Sequence, residues 1–202
     1  VLFKQDTIRS KFLLEDITGE SVNGYRAASY SITPKSEWAL EILIDAGFTY
    51  DSSIFPVHHD RYGMPGAPLG IHLAETVDNK QIVEFPLTSA PLMNKRLPVA
   101  GGGYFRLYPY GLSRALLKRA VNELQQPFIF YLHPWEIDSG QPRVKGASVL
   151  SRFRHYINIS RCKPRLSKLI EDFDFTTVAK VLSQHQKDKS LEVFNYANFV
   201  KR

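Results

Sequence analysis

Apolar positions recurring every three or four residues alternate along this chain with short continuous apolar runs, the pattern of helices interleaved with strands. Ile8, Phe12, Leu13 and Ile17 follow Asp6 or Thr7, either of which can cap a helix, and Gly19 supplies a stop. Residues 22–26 are short enough for a strand, with Arg26 at its carboxyl end. Thr33 and Pro34 read as an N-cap and a first-turn proline, opening a helix filled by Trp38, Leu40, Ile42, Leu43 and Ile44 and closed by Gly47. Residues 48–51 predict the next strand, ending on Asp51. From 52 to 98 the chain is rich in proline and glycine, with one strand-like piece at 82–85, and long connections of that kind tend to carry binding surfaces. Helical spacing returns at 110–124 through Leu112, Leu116, Leu117 and Val121. Residues 128–132 are wholly apolar between Pro127 and Pro134, which predicts a strand buried on both faces that stops at His133. A helix from Pro164 to about Phe173 and a strand over 175–178 follow, and the charged tail after Ser183 carries no clear pattern.

Strand, helix, strand recurs without an internal repeat or a shift in composition, so a parallel α/β arrangement in a single domain is expected over residues 1–202, with 180–202 as a tail. The chain has 202 residues, of which 44% are hydrophobic and 23% charged, enough apolar material for a core. Its net charge of +6 suits anionic partners, but the basic residues are scattered, which argues against a nucleic-acid partner. Cys162 is the sole cysteine, so an internal disulfide and a multi-cysteine metal site are excluded. No apolar run approaches the roughly 18 residues of a spanning helix, and no membrane span is expected. The opening Val1-Leu2-Phe3, running almost at once into a helix, reads as part of a longer chain. The compartment stays open on that reading, with cytoplasm favoured over periplasm.

Arg26, Asp51 and His133 are each predicted at the carboxyl end of a strand, and Glu136 follows His133 by three residues. Strand ends of that kind gather on one face of a parallel sheet, where such a set suits hydrolysis. Histidine can protonate a leaving amine, a carboxylate can hold the imidazole charged, and arginine can fix another carboxylate through a bidentate fork. Structural salt bridges account for the same set, and His133 alone could simply cap its strand. His58, His59, Asp60, Arg61, Tyr62 and Gly63 invite a metal reading, but neighbouring side chains diverge in extended chain, so a substrate-contacting loop through His59, Arg61 and Tyr62 is preferred, with packing as the alternative. Residues 101–106, Gly-Gly-Gly-Tyr-Phe-Arg, lack the spacing of a nucleotide cradle and suit close backbone approach. Tyr62, Tyr104 and Trp135 are aromatics that could stack on sugar rings. Neither GxSxG nor HExxH occurs.

The ordered motifs Gly24-Tyr25-Arg26-Ala27-Ala28-Ser29-Tyr30, Tyr50-Asp51-Ser52-Ser53-Ile54-Phe55-Pro56, His59-Asp60-Arg61-Tyr62-Gly63, Gly101-Gly102-Gly103-Tyr104-Phe105-Arg106, Leu132-His133-Pro134-Trp135-Glu136 and Ser151-Arg152-Phe153-Arg154-His155-Tyr156 resemble polysaccharide deacetylases with a NodB homology domain, in the branch associated with exosortase and PEP-CTERM loci. The resemblance implies a distorted (β/α) barrel that removes N-acetyl groups from an amino-sugar polysaccharide, using a divalent metal, usually zinc, to activate water. It makes Arg26 the residue that orients the base aspartate, His133 the acid for the leaving amine, Leu132 a wall of the acetyl pocket, and Asp51 the carboxylate that tunes the histidine.

The family's Asp-Asp and His-x-x-x-His metal motifs have no counterpart in these residues, and Ala28 stands where proline is usual. The expectation is therefore a barrel incomplete at its amino terminus, with no metal held by this chain, no metal-dependent turnover if the chain is whole, and exposed sheet edges that favour a homo-oligomer. Two other readings stay open: a metal-independent hydrolase of cyclic amides of the allantoin type, and a glycan-binding protein without catalysis.

Overall fold

Local patterns place the elements that carry the strand-end residues. Helix α1 spans Leu2–Thr18, beginning ahead of the expected cap, so Thr7 lies inside it and is buried. Gly19 ends it at φ +69°, donating its N–H to Glu15 O at 2.8 Å. The helix turns a different face inward from the one its spacing predicts. Phe3 packs edge-on against Tyr25 and Trp38, while Phe12 and Ile17 are 64% and 70% exposed. Apolar residues lie on two sides of α1, and contact with Tyr25 and Trp38, not periodicity, selects the side that is covered.

The computed structural model describes residues 2–59, 62–188 and 190–197, in two compact units, Val1–Leu87 with Leu182–Arg202 and Thr88–Val181. In the first, β1 (Gly24–Tyr25) and β2 (Tyr50–Asp51) run parallel, with α2 (Trp38–Asp45) between them in sequence. Helix α2 starts a turn later than Thr33 and Pro34 suggest. Ser36 accepts the Thr33 N–H at 3.0 Å and donates to Ser31 O at 2.6 Å, and such local side-chain bonds compete with helix. Leu40 and Leu43 are fully buried, and Gly47 follows the helix at φ +80° as expected.

β4 (Gln81–Glu84) lies parallel to β2, β3 (His72–Glu75) antiparallel to β4, and β7 (Val193–Asn195) parallel to β3. The sheet order is β1-β2-β4-β3-β7, a parallel-rich sheet that is open among the described residues, where no closed barrel forms. The mixed α/β class is as the sequence predicts. Within residues 52–98 the predicted strand-like piece at 82–85 is β4, and the rest differs from the irregular connection expected by supplying β3 and a hairpin of β5 (Ser89–Leu92) and β6 (Lys95–Pro98). Pro91 and Pro98 argue against strands in sequence, yet a hairpin tolerates them where their missing N–H is not called on. Part of the tail, β7, also joins the sheet.

The second unit holds the hairpin, α3 (Gly102–Leu107), α4 (Tyr110–Leu124), α5 (Val149–Tyr156) and α6 (Ile159–Asp172). Helix α4 has the predicted bounds and buries Leu116, Leu117 and Ala120 against Phe105, Cys162 and Leu169. Helix α6 starts before Pro164, which lies within it, and residues 175–177 are irregular where a strand was predicted, with Val178 opening α7 (Val178–Asp188). Residues 128–132 form no regular strand where one was predicted: among the described residues their pairing is one parallel bridge between Gly101 and Tyr131, with Tyr131 N donating to Ala100 O at 2.7 Å. Of that run Ile129 is buried and the others are half-buried, so it is covered less fully than predicted. Phe128, Phe130 and Leu132 still pack on the second core.

Gly101 makes the bridge possible. At φ +124° it sits where a Cβ would fall 2.0 Å from Tyr131 O. We expect Gly101→Ala to cost more than about 2 kcal/mol in denaturant unfolding. Gly111→Ala, in open space near the start of α4, should be neutral or stabilising. Equal effects would remove the close approach as the cause.

Candidate functional site

At the carboxyl ends of β1, β2 and β4 the first unit concentrates polar groups. Arg26 is exposed, but its guanidinium is anchored, with Nε donating to Ser52 O at 2.8 Å and Nη2 to Ser52 Oγ at 2.7 Å. Ser52 Oγ donates in turn to Phe85 O at 2.7 Å. Arg26 also lines a cavity of about 290 Å³ with Phe3, Thr7, Tyr25 and Phe48. Asp51, one residue back from Ser52, has no exposure, and its oxygens accept Ser53 Oγ–H at 2.6 Å and Ser53 N–H at 3.2 Å. It therefore cannot meet a substrate directly. Glu84, its register partner, is equally buried and takes the Ile54 N–H at 3.1 Å. Sequence reasoning missed Glu84, whose signal was its place at the end of the one strand-like piece between residues 52 and 98.

Beside these acids lie His72 and Tyr196, both buried. His72 Nδ1 is 2.8 Å from Gly70 O, which can only accept, so Nδ1 carries the proton and Nε2 accepts from the Tyr196 hydroxyl at 2.8 Å. Burial lowers the imidazole to about 4, so His72 is neutral at physiological pH. Burial, then the charges of Glu84 and Asp51, push the Tyr196 phenol well up.

In the second unit the Leu132-His133-Pro134-Trp135-Glu136 motif folds around a buried ion pair. Arg106 Nε donates to Glu136 Oε1 at 2.9 Å, Nη1 to His155 O at 2.8 Å and Ile157 O at 3.0 Å, and Nη2 to Arg154 O at 3.2 Å. Glu136 Oε2 accepts the His133 N–H at 2.9 Å. Both oxygens of Glu136 are thus committed to hydrogen bonds, and the residue has no exposure within the turn that carries His133. Arg106, which sequence reasoning read only as part of a glycine-rich stretch, is the hub.

His133 is exposed, its ring stacked on Trp135 at 6.0 Å between centroids and edge-on to Tyr131 at 5.9 Å. Trp135 is not a free aromatic platform. His155 stacks on it at 4.2 Å and Arg106 lies 5.0 Å from its ring centre. His155 Nε2 donates to Gln141 Oε1 at 2.8 Å, and Gln141 Nε2 donates to Trp135 O at 2.7 Å, which closes the turn over the motif. Leu132 is half-buried in the second core, and Tyr104 is half-buried against Tyr108.

His59 and Tyr62 stack at 3.8 Å with planes 3° apart, and Tyr62 also meets Tyr30 and Phe55. This favours an aromatic cluster over the metal reading of that loop; Arg61, with Asp60, lies outside the described residues. The structure thus brings Arg26 and Asp51 together in one unit and Leu132, His133, Trp135 and Glu136 together in the other. Among the described residues no three His, Cys, Asp or Glu side chains cluster in a way that could hold a metal. No described helix is long and apolar enough to cross a membrane.

A family model described as "Domain of unknown function (DUF3473)" matches residues 52–183, which include Glu84, Arg106, His133 and Glu136 and exclude Arg26 and Asp51. No curated protein and no solved structure matches the chain.

Removing one partner of a buried ion pair strands the other charge and costs about 3 to 5 kcal/mol. Arg106→Ala should lose that much stability in denaturant unfolding. Arg106→Lys should recover less than half of it, because one ammonium cannot reach Glu136 and three carbonyls together. Full rescue by lysine would contradict the fork.

Proposed function

The chain belongs to the DUF3473 family, a family associated with polysaccharide deacetylase-like proteins, and from that premise we propose that it serves the hydrolytic removal of N-acetyl groups from an amino-sugar polysaccharide. Family membership is the observation that carries this reading. Two placements support it: an imidazole exposed at the end of the bridged segment, and an arginine exposed at the end of β1.

In this reading His133 donates a proton to the amine that leaves as the C–N bond breaks. Its ring is set by the Trp135 stack, and its backbone by the Glu136 carboxylate. Leaving-group protonation matters because an amide nitrogen departs poorly as an anion. Arg26, held by Ser52 at two points, presents a fixed guanidinium that can orient a carboxylate or a polar sugar substituent. Asp51 acts through the Ser52–Ser53 segment that anchors Arg26, and Leu132 supplies apolar surface for an acetyl methyl. Zinc, where present in such hydrolases, supplies an activated water.

The test is acetate release from N-acetylglucosamine oligomers by the protein in the full length its gene encodes. His133→Ala should lower kcat by about 10² or more with little change in KM, and should leave the melting temperature near wild type because the ring is exposed. Near-normal turnover in that variant would remove the acid role. Hydrolysis of a cyclic ureide but not of the acetylated sugar would replace the proposed substrate class.

A further inference from the structure

Glu84 Oε2 is a buried oxygen without a hydrogen-bond donor. The register of β2 and β4 pairs Glu84 with Asp51, so the two side chains leave the same face of the sheet, and neither residue has any exposure. Two ionised carboxylates cannot share such a site without severe repulsion. The donors decide where a single charge settles. Asp51 receives the Ser53 hydroxyl and the Ser53 N–H, whereas Glu84 receives only the Ile54 N–H, on Oε1.

We propose that Glu84 is a protonated acid at neutral pH whose Oε2–H donates to Asp51, so that the carboxyl ends of β2 and β4 carry one negative charge between them and Glu84 is a positioning residue for Asp51. This holds whether or not the protein cleaves an amide.

Burial first, and the Asp51 charge second, push Glu84 well above the usual carboxylate range, opposed by the Ile54 N–H and by Arg26. Burial raises Asp51 too, opposed by hydrogen bonds from Glu84, Ser53 and Ser52. Among the described residues the other titratable groups around the pair are Arg26 and Tyr25 from the β1 end, His72 from β3 and Tyr196 just after β7. His72 is neutral and accepts from Tyr196, so it brings no charge. Tyr25 is pushed up by burial and then by Asp51, and stays a phenol. Arg26, held on Ser52, is the cation whose charge opposes the rise at Glu84.

A folded-state value raised above the unfolded one means that the native protein holds a proton the unfolded chain has released. The Glu84 contribution is then complete below the unfolded carboxyl range and is lost as pH rises through the folded value. Above that value the proton passes to solvent and two buried negative charges oppose each other at the strand ends that carry Arg26's anchor.

Glu84→Gln, whose amide copies both the acceptor and the donor of a protonated acid, should shift the melting temperature at neutral pH by less than about 3 °C, whereas Asp51→Asn should lower it by about 5 °C or more. As pH rises above the unfolded carboxyl range, wild type should lose melting temperature more steeply than Glu84→Gln. Infrared spectra of the wild type in heavy water near neutral pH should show a protonated carboxyl carbonyl stretch that Glu84→Gln removes, a readout that stands even if Asp51→Asn fails to fold. Tolerance of Asp51→Asn with damage from Glu84→Gln would put the proton on the wrong acid. Stabilisation by both, with no carboxyl stretch, would show both ionised and overturn the proposal.

Discussion

A carboxyl group sealed from water must be matched by donors or keep its proton, and both units are organised around that requirement. Glu136 meets it with donors. The Arg106 fork and the His133 N–H take its two oxygens, and the same guanidinium ties down three carbonyls between Arg154 and Ile157. One charge pair thereby fixes the turn after the bridged segment and the junction between α5 and α6. Asp51 meets it with the hydroxyl and N–H of Ser53, and Glu84, which takes the Ile54 N–H on one oxygen and has no donor for the other, meets it by keeping its proton; the Ile54 bond ties the chain leaving β2 to the end of β4.

The consequence for function lies in what this leaves exposed. With the acids withdrawn into the interior, the groups presented outward are the Arg26 guanidinium, anchored on Ser52 next to Asp51, and the His133 imidazole, whose backbone N–H is held by Glu136. Buried charge is costly unless paired, and the pairing here falls directly behind the residues that the functional reading needs held still. Trp135, in contact with both His155 and Arg106, serves the same end by stacking against the His133 ring.

Much of this was legible in the sequence where local physics decides. The bounds of α4, the stops at Gly19 and Gly47, the strand ends at Arg26 and Asp51 and the close approach at the glycine triplet all follow from spacing and backbone freedom. The face that α1 covers, the start of α2, and β3 with the β5–β6 hairpin were not, because tertiary contacts and local serine bonds overrode propensity there, whereas β4 matched the strand-like piece at 82–85. Prolines concealed the β5–β6 hairpin, and a polar tail concealed β7, whose partner β3 lies more than a hundred residues earlier. At the site, sequence named the exposed residues. The partners that decide their behaviour, Arg106 and Glu84, escaped because a buried charge is recognisable only from its neighbours.

The functional account rests on amide cleavage in an acetylated amino-sugar chain, and mass spectrometry of such an oligomer after incubation with the full-length protein tests it most directly. The account predicts product masses lower by one acetyl unit per event, each with a new free amine. Saturable binding of an oligomer whose mass never changes would contradict it.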